Sequence, residues 1–172
     1  TANVMLRKRH FARGLLEHDY KLLSLRLLLE GNGVAHSWIP EHELRSKVFQ
    51  KYGRRDAKHQ LIPDGLMVVD VAGRKETVAI EMELTTKNER RYIQLFERYF
   101  GLSNTHAVWY IVKNIAQVNQ LLKLWNRWSH KNFCGIRFYV SLVDVVMEKG
   151  LKAKVYNVKD DKLIDELFTP LT

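Results

Sequence analysis

The sequence predicts an α/β fold in which a sheet of mixed strand direction is flanked by helices. Segments with helical and strand periodicity alternate along the chain, and one pair of adjacent apolar runs is separated by a tight turn. Later strands are joined by amphipathic segments long enough to be crossover helices, so the sheet combines an antiparallel hairpin with parallel strands. The length of 172 residues, with 46% hydrophobic residues, fits one domain.

The first part of the chain predicts a helix, a strand and a second helix. Residues 18–30 carry apolar side chains at helical spacing and end at a Gly-Asn-Gly stop signal. Residues 34–39 form a short strand candidate, and Pro40 then opens a helix with acidic residues in its first turn. Residues 50–60 are polar and basic, which predicts a mobile loop.

A β-hairpin follows. Residues 66–71 and 77–84 are rich in Val, Ile, Leu and Met. They are separated by Ala72-Gly73-Arg74-Lys75, a short connection with a glycine where a positive φ angle is needed.

The second part of the chain continues the alternation of helices and strands. The predicted elements are a helix at 88–102 capped by Asn88, a strand at 106–112, a helix at 114–128, a strand at 136–140 and a short helix at 142–150 capped by Ser141. The charged tail at 159–168 predicts an amphipathic helix or an added strand and helix.

The charge of the chain indicates a polyanionic partner. The formal net charge is +9, and no Asp or Glu occurs between Arg98 and Val143. Trp125 and Trp128 lie in this basic interval and suit either a base-stacking surface or the core. Trp109 lies in an apolar run and suits the core better.

Several classes of protein are excluded or disfavoured. No apolar run reaches the ~18 residues of a membrane span, so no membrane partner is expected. The single cysteine, Cys134, excludes an internal disulfide and a cysteine-based zinc site, and it fits a reducing cytosol. The histidines lack zinc spacing, and no glycine-rich phosphate loop is present.

Three acids stand out because they lie in or beside strand-like apolar runs. Glu81 and Glu83 project to the same side of their strand, and Asp64 precedes the partner strand of the hairpin. Clustered carboxylates repel one another unless a cation is present, and hard oxygen ligands suit Mg²⁺ or Mn²⁺. The alternative is that the two glutamates line the exposed face of an edge strand and pair with Arg74, Lys75 or Lys87.

The arrangement of Pro63-Asp64 and Glu81-x-Glu83 resembles the PD-(D/E)XK nuclease superfamily. The resemblance implies a restriction-endonuclease-like mixed sheet and a Mg²⁺- or Mn²⁺-dependent endonuclease. It implies that Asp64 and Glu81 hold the metal, with the carbonyl of Met82 as a further ligand.

This sequence departs from that pattern where a lysine usually orients the attacking water. Glu83 occupies that position, and Lys87 is a candidate for a migrated lysine. Many members carry a polar residue on the following helix that points back at the site, and Gln94 is the candidate here. The departure leaves open a catalytically inactive variant of the fold.

Phosphate contacts are expected from the basic loop at 53–59, the helix after the hairpin and the basic interval. The candidates are Arg54, Arg55, Lys58, Arg91, Arg98, Lys123, Arg127 and Lys131.

A closer resemblance, over roughly residues 14–150, is to plasmid replication-relaxation and mobilisation-associated proteins. It rests on the order of the segments LLEHD, PEHELR, IPDGLMVV, VAIEMELTTK, RRYIQLFERY and VWYIV. It implies a nuclease-like domain at residues 14–172, preceded at 1–13 by a linker or the tail of a winged-helix segment. It also implies plasmid DNA transactions in the bacterial cytoplasm, with DNA as the expected partner. Nucleases of this kind often form homodimers, and the inactive variant would recruit a relaxase or a replication initiator.

Three other residues have two interpretations each. Glu43 suits a third metal ligand from an early helix, although compensation of the helix dipole explains it as well. His18 and His36 suit ligands or bases, but a helix cap or a satisfied core histidine is the commoner role for each.

Overall fold

The computed structural model describes residues 13–102, 104–132 and 134–168. The main sheet contains β1 (Ala35–Pro40), β2 (Gly65–Val71), β3 (Arg74–Glu83), β4 (Ala107–Val112) and β5 (Arg137–Leu142). The helices are α1 (Arg13–Gly31), α2 (Glu41–Ala57), α3 (Glu89–Phe100), α4 (Ile115–Asn132), α5 (Val143–Lys149) and α6 (Ile164–Leu167), with a 3₁₀ turn at Gly150–Lys152. A small ribbon is formed by β6 (Lys154–Val155) and β7 (Lys162–Leu163).

The main sheet has the mixed direction that the sequence predicts. Its strand order is β1-β2-β3-β4-β5. The pairs β1–β2 and β2–β3 are antiparallel, whereas β3–β4 and β4–β5 are parallel. The α/β class with a helix-flanked mixed sheet is therefore confirmed.

Each face of the sheet carries its own hydrophobic core. On one face, Leu25 and Leu29 of α1 pack with Val143 and Val146 of α5 and with the apolar side of β3. On the other face, α3 and α4 supply a largely aromatic core whose members include Tyr92, Phe96, Tyr99, Trp125 and Trp128. Every residue of β4 is buried, because both faces of this inner strand are covered by helices.

The two tryptophans of the basic interval belong to this aromatic core. Trp125 stacks on Phe138 with ring centroids 4.6 Å apart, and Trp128 packs at 5.9 Å from Phe96. The exposed fractions of their side chains are only 4% and 7%, so neither presents a free ring for base stacking. Trp109 is fully buried as well, as the apolar run around it indicates.

The hairpin is tighter than the sequence suggests. Only Ala72 and Gly73 connect β2 to β3, with φ angles of 52° and 77°. Two consecutive positive φ angles match the two-residue turn that suits the twist of antiparallel strands. Arg74 and Lys75 consequently belong to β3.

Two local predictions are wrong. The polar segment at 50–60 is not a loop throughout, because α2 continues to Ala57 across a non-helical Gly53 with φ 71°. Ala57 at the end of this helix is buried, and the polar side chains around it face solvent, so a polar segment can be helical when one side of it packs on the protein. Ser141 does not cap α5: it lies in β5, where its hydroxyl accepts a hydrogen bond from Trp109 Nε1 and donates one to the carbonyl of Lys154, each at 3.0 Å.

The sequence predicts a linker at the start of the chain and a charged tail at its end. The predicted segment at 1–13 lies outside the described residues except for Arg13, which begins α1. The charged tail forms a strand and a helix, β7 and α6, as one of its two interpretations proposes. Within the described ranges, no helix has the length and apolar character needed to cross a membrane.

We expect Gly65→Ala to destabilise the fold by about 1–3 kcal/mol, the usual cost of overpacking a core. A Cβ at Gly65 would lie 2.5 Å from the ring of Trp38, a buried residue of β1. Urea denaturation followed by circular dichroism measures the loss. Gly31→Ala is the matched control, since a Cβ there meets no atom within 4 Å, and equal destabilisation of both variants would contradict the prediction.

Candidate functional site

Asp64 and Glu81 meet across the hairpin. Gly65 is the first residue of β2 and pairs with Ile80, so Asp64 precedes the strand at the level of Glu81, and its charge acts on Glu81. The Asp64 carboxylate is held there because the main-chain N–H of Met82 donates to its Oδ2 at 2.7 Å. The two acids that the sequence assigned to one site therefore lie side by side at one end of the sheet.

His18 of α1 also contacts this pair. Its Nε2 lies 3.2 Å from Asp64 Oδ2 and its Nδ1 lies 3.1 Å from Asp19. The hydrogen bond to Asp64 raises the pKa of His18 to about 9 against the opposing effect of burial, so the imidazole is protonated at neutral pH. His18 thus carries a positive charge onto Asp64.

Glu81 is held on its other side by Tyr99 of α3. The Tyr99 hydroxyl donates to Glu81 Oε1, and the tyrosine is fully buried. Burial, with the negative charge of Asp64 as the next cause, raises the pKa of Glu81 to about 8. A proton therefore occupies Glu81 at neutral pH unless a cation compensates for the two charges.

Glu83 and Lys87 form a second pair beside these acids. Lys87 Nζ contacts Glu83 Oε2, and Thr85 Oγ1 donates to Glu83 Oε1 at 3.1 Å. Glu83 is only 4% exposed and β3 is the third strand of five, which excludes an exposed edge strand. The pairing with Lys87 that belonged to the same alternative is found. Burial lowers the pKa of Lys87, although the charges of Glu81 and Asp64 act in the opposite direction.

The helix α3 presents a different residue to the acids from the one the sequence suggested. Its buried positions are Tyr92, Phe96 and Tyr99, whereas Gln94 lies on the exposed face. Gln94 shares a shallow groove with Arg91 and Arg98. The polar group from α3 that contacts the acids is the Tyr99 hydroxyl.

The helix α2 brings an acid close to the site. The main-chain N–H of Glu41 donates to the carbonyl oxygen of Asp64 at 3.1 Å, and the charge of Glu41 adds to the rise in the pKa of Glu81. Glu41 is also paired with Arg45, one turn along the helix. Glu43, the acid weighed from the sequence, is exposed.

Among the side chains expected to contact phosphates, those that the structure describes are exposed, and two of them have protein partners. Arg98 donates to the carbonyl of His59 at 3.0 Å, and Arg127 pairs with Glu89 at 3.2 Å. The others whose side chains are described are Arg55, Lys58, Arg91, Lys123 and Lys131. The backbone of Arg54 lies in α2, but its side chain is outside the described part of the chain.

His36 forms a separate pair at the other end of β2. Its Nε2 lies 3.0 Å from Asp70 Oδ2. His36 is thus a satisfied, partly buried histidine, the commoner of its two interpretations.

The fit of a metal ion depends on two carboxylates. Asp64 and Glu81 are hard oxygen donors of the type that Mg²⁺ and Mn²⁺ prefer. The hydrogen bonds from His18, Met82 and Tyr99 engage Asp64 Oδ2 and Glu81 Oε1, so the second carboxylate oxygen of each acid is the one that could bind a metal. Among the described residues, no three His, Cys, Asp or Glu side chains are grouped to hold a metal. A metal here would therefore take its remaining ligands from main-chain oxygen, water or phosphate, as Mg²⁺ commonly does.

His18 and Tyr99 are the two site residues that sequence reasoning missed in these roles. They lie 46 residues before Asp64 and 18 residues after Glu81. No short motif links either residue to its partner acid.

No protein-family profile, curated protein or solved structure matches the chain.

Proposed function

We propose that this chain is a metal-dependent DNA endonuclease domain of the PD-(D/E)XK type, acting on plasmid or mobile-element DNA. The observation that supports this most is the placement of Asp64 at the level of Glu81, with its carboxylate held by the N–H of Met82. Two carboxylates at this point of a hairpin are the part of the pattern that would bind the ion.

Asp64 and Glu81 would hold Mg²⁺ or Mn²⁺ together with the carbonyl of Met82. When bound, the ion would polarise a phosphate and lower the pKa of a water molecule. The chain itself orients both acids: the hydrogen bond from Tyr99 fixes Glu81, and those from His18 and Met82 fix Asp64. His18 belongs to α1 and Tyr99 to α3, and these helices pack on opposite faces of the sheet. The two acids are therefore fixed in position before a ligand binds between them.

The Glu83–Lys87 pair supports the idea of a migrated lysine. The lysine follows the end of β3 by four residues, yet its ammonium returns to the carboxylate that occupies the usual lysine position. The fall in the pKa of Lys87 makes its amine easier to deprotonate. One of these two side chains would therefore orient the attacking water and accept its proton.

The exposed basic residues would grip DNA without reading its sequence. Lys123, Arg127 and Lys131 recur every four residues along α4, so they form one stripe on its exposed side. Arg91 and Arg98 lie on the exposed face of α3, the helix whose inner face carries Tyr99 to the site. Contacts from such residues go to phosphates and depend strongly on salt.

One observation favours a second candidate, a catalytically inactive nuclease-fold module that binds DNA and recruits a relaxase or replication initiator. Asp64 already has His18 as a cationic partner, and Glu81 already has a buried donor in Tyr99. A proton on Glu81 removes the remaining repulsion between the acids. The constellation is thus stable as a purely structural network.

Calorimetric titration with Mn²⁺ separates the two candidates. We expect wild-type protein to bind Mn²⁺ and Asp64→Ala to lose this binding, because one of two carboxylate ligands is gone. Asp70→Ala is the matched control, since Asp70 is also a histidine-paired acid of β2 but lies at the other end of the strand.

The titration can also contradict the nuclease proposal. Absence of Mn²⁺ binding in the wild type, both alone and with DNA present, would overturn the nuclease proposal. DNA binding that falls steeply with salt and does not respond to Mg²⁺ would then support the inactive module.

A further inference from the structure

The outer face of α1 carries an exposed apolar stripe. Its members are Leu16, Tyr20, Leu23 and Leu27, whose side chains are 53–71% exposed. The same helix buries Leu25 and Leu29 against the sheet. The stripe is therefore separate from the residues that anchor α1 to its own domain.

The spacing of the stripe is that of a helix-pairing seam. Its residues follow one another at intervals of four, three and four, so they lie within about 60° of arc on the helix. Alternating intervals of three and four are the a/d pattern by which two helices pack along their length. Monomeric proteins rarely expose large contiguous apolar patches, and such patches mark interaction surfaces.

The charges beside the stripe indicate which helix would pack there. Asp19 and Arg26 lie on the same flank, about 2.5 residues before and about 4.5 residues after the centre of the stripe. A two-fold axis that pairs two copies of α1 antiparallel brings this flank of one helix against the same flank of the other. Tyr20 then faces Leu23 of the second copy, and Asp19 lies within about 3 Å along the axis of the second copy's Arg26.

A parallel pair lacks this complementarity. It would set the Asp19 flank against the opposite flank, which carries Glu17 and Ser24. Arg26 pairs with Glu30 of its own helix at 3.0 Å, and Asp19 contacts His18. Both side chains nevertheless keep exposed area, so their charges can also face a partner. Charge therefore favours an antiparallel second copy.

We propose that the protein forms a homodimer through antiparallel packing of α1 against α1 of a second copy. Four side chains per copy bury less than the ~800 Å² per partner of a standard interface, so we expect a reversible dimer with a dissociation constant in the micromolar range. His18 projects from the opposite side of α1 towards Asp64, so this dimer leaves the acid site uncovered. The dimer does not depend on any catalytic activity.

Sedimentation equilibrium tests the surface. We expect wild-type protein to dimerise with increasing concentration and the double variant Tyr20→Glu, Leu23→Glu to remain monomeric. Ile115→Glu is the matched control, because Ile115 is an exposed apolar residue of α4 and should not alter the dimer. Unchanged circular dichroism melting shows that each variant is folded.

Charge reversal tests the antiparallel orientation. Asp19→Arg and Arg26→Asp should each weaken self-association about tenfold, because each creates two like-charge contacts across the two-fold axis. A mixture of the two variants should restore the dimer, since both contacts in the heterodimer then pair an arginine with an aspartate. Wild-type protein that remains monomeric up to about 0.5 mM overturns the dimer. A dimer indifferent to these reversals overturns the antiparallel packing.

Discussion

Asp64→Asn is expected to abolish Mn²⁺-dependent cleavage of supercoiled plasmid DNA. The substitution keeps the size of the side chain and an oxygen that can accept the hydrogen bond from Met82, but it removes one of two anionic ligands. Loss of a group that merely supports a metal ligand commonly costs 10–100-fold, so loss of a ligand should reduce the rate by more than about 100-fold. DNA binding should be unchanged or tighter, because a negative charge near the phosphates is gone.

The control for this variant is Asp70→Asn. Asp70 pairs with His36 as Asp64 pairs with His18, and the two aspartates lie at opposite ends of β2. We expect Asp70→Asn to cleave at the wild-type rate. Cleavage that persists in Asp64→Asn would remove Asp64 from the catalytic assignment, whereas equal loss in both variants would indicate a general effect on folding.

Glu81 should make the stability of the protein fall as the pH rises. Its folded pKa is raised from 4.5 to about 8, so between these values the folded chain holds a proton that the unfolded chain has lost. The free energy of unfolding then decreases with pH by about 1.4 kcal/mol per unit. Between pH 5 and 6.5 the expected decrease is about 2 kcal/mol, and the decrease ends above pH 8.

His18 makes stability depend on pH in a higher pH range than Glu81 does. Its pKa is raised from 6.5 to about 9, so its contribution to stability is complete below pH 6.5 and is lost as the pH rises through 9. The interval from pH 5 to 6.5 therefore isolates Glu81 from His18.

Urea denaturation across this interval, for wild type and Glu81→Gln, measures the effect. Glutamine has the same shape, can accept the hydrogen bond from Tyr99 and does not titrate, so the variant should lack the decrease and exceed wild type in stability at pH 8. Glu97→Gln, an exposed substitution on α3, should keep the wild-type slope. A wild-type curve that is flat or rising from pH 5 to 6.5 would show that Glu81 is ionised in the folded chain.

The hairpin shows how much of the site local sequence can predict. The turn at Ala72-Gly73 sets the register, and the register places Asp64 at the level of Glu81. The period of two along a strand puts Glu81 and Glu83 on one face. The common face of the glutamates can be read from a short stretch of chain. The register could not be read in this way, because the sequence suggested a four-residue connection at 72–75, and the two-residue turn of the structure sets the pairing.

The partners of these acids depend on contacts between distant segments. His18 reaches Asp64 only because α1 packs on one face of the sheet, and Tyr99 reaches Glu81 only because α3 packs on the other. The sequence indicates that α3 is amphipathic, but which polar group at its margin meets an acid depends on the rotation of the helix in the packed core. Gln94 and Tyr99 are both chemically suitable, and packing selects Tyr99.

The sequence by itself determined the order of helices and strands, the hairpin and the common face of Glu81 and Glu83, because periodicity and turn chemistry act over a few residues. The tertiary structure decided the burial of Trp125 and Trp128, the extension of α2 to Ala57 and the partners of the acids. These features depend on which faces of distant elements pack together. Their free energy comes from apolar burial and close packing across the whole domain, which no local pattern records.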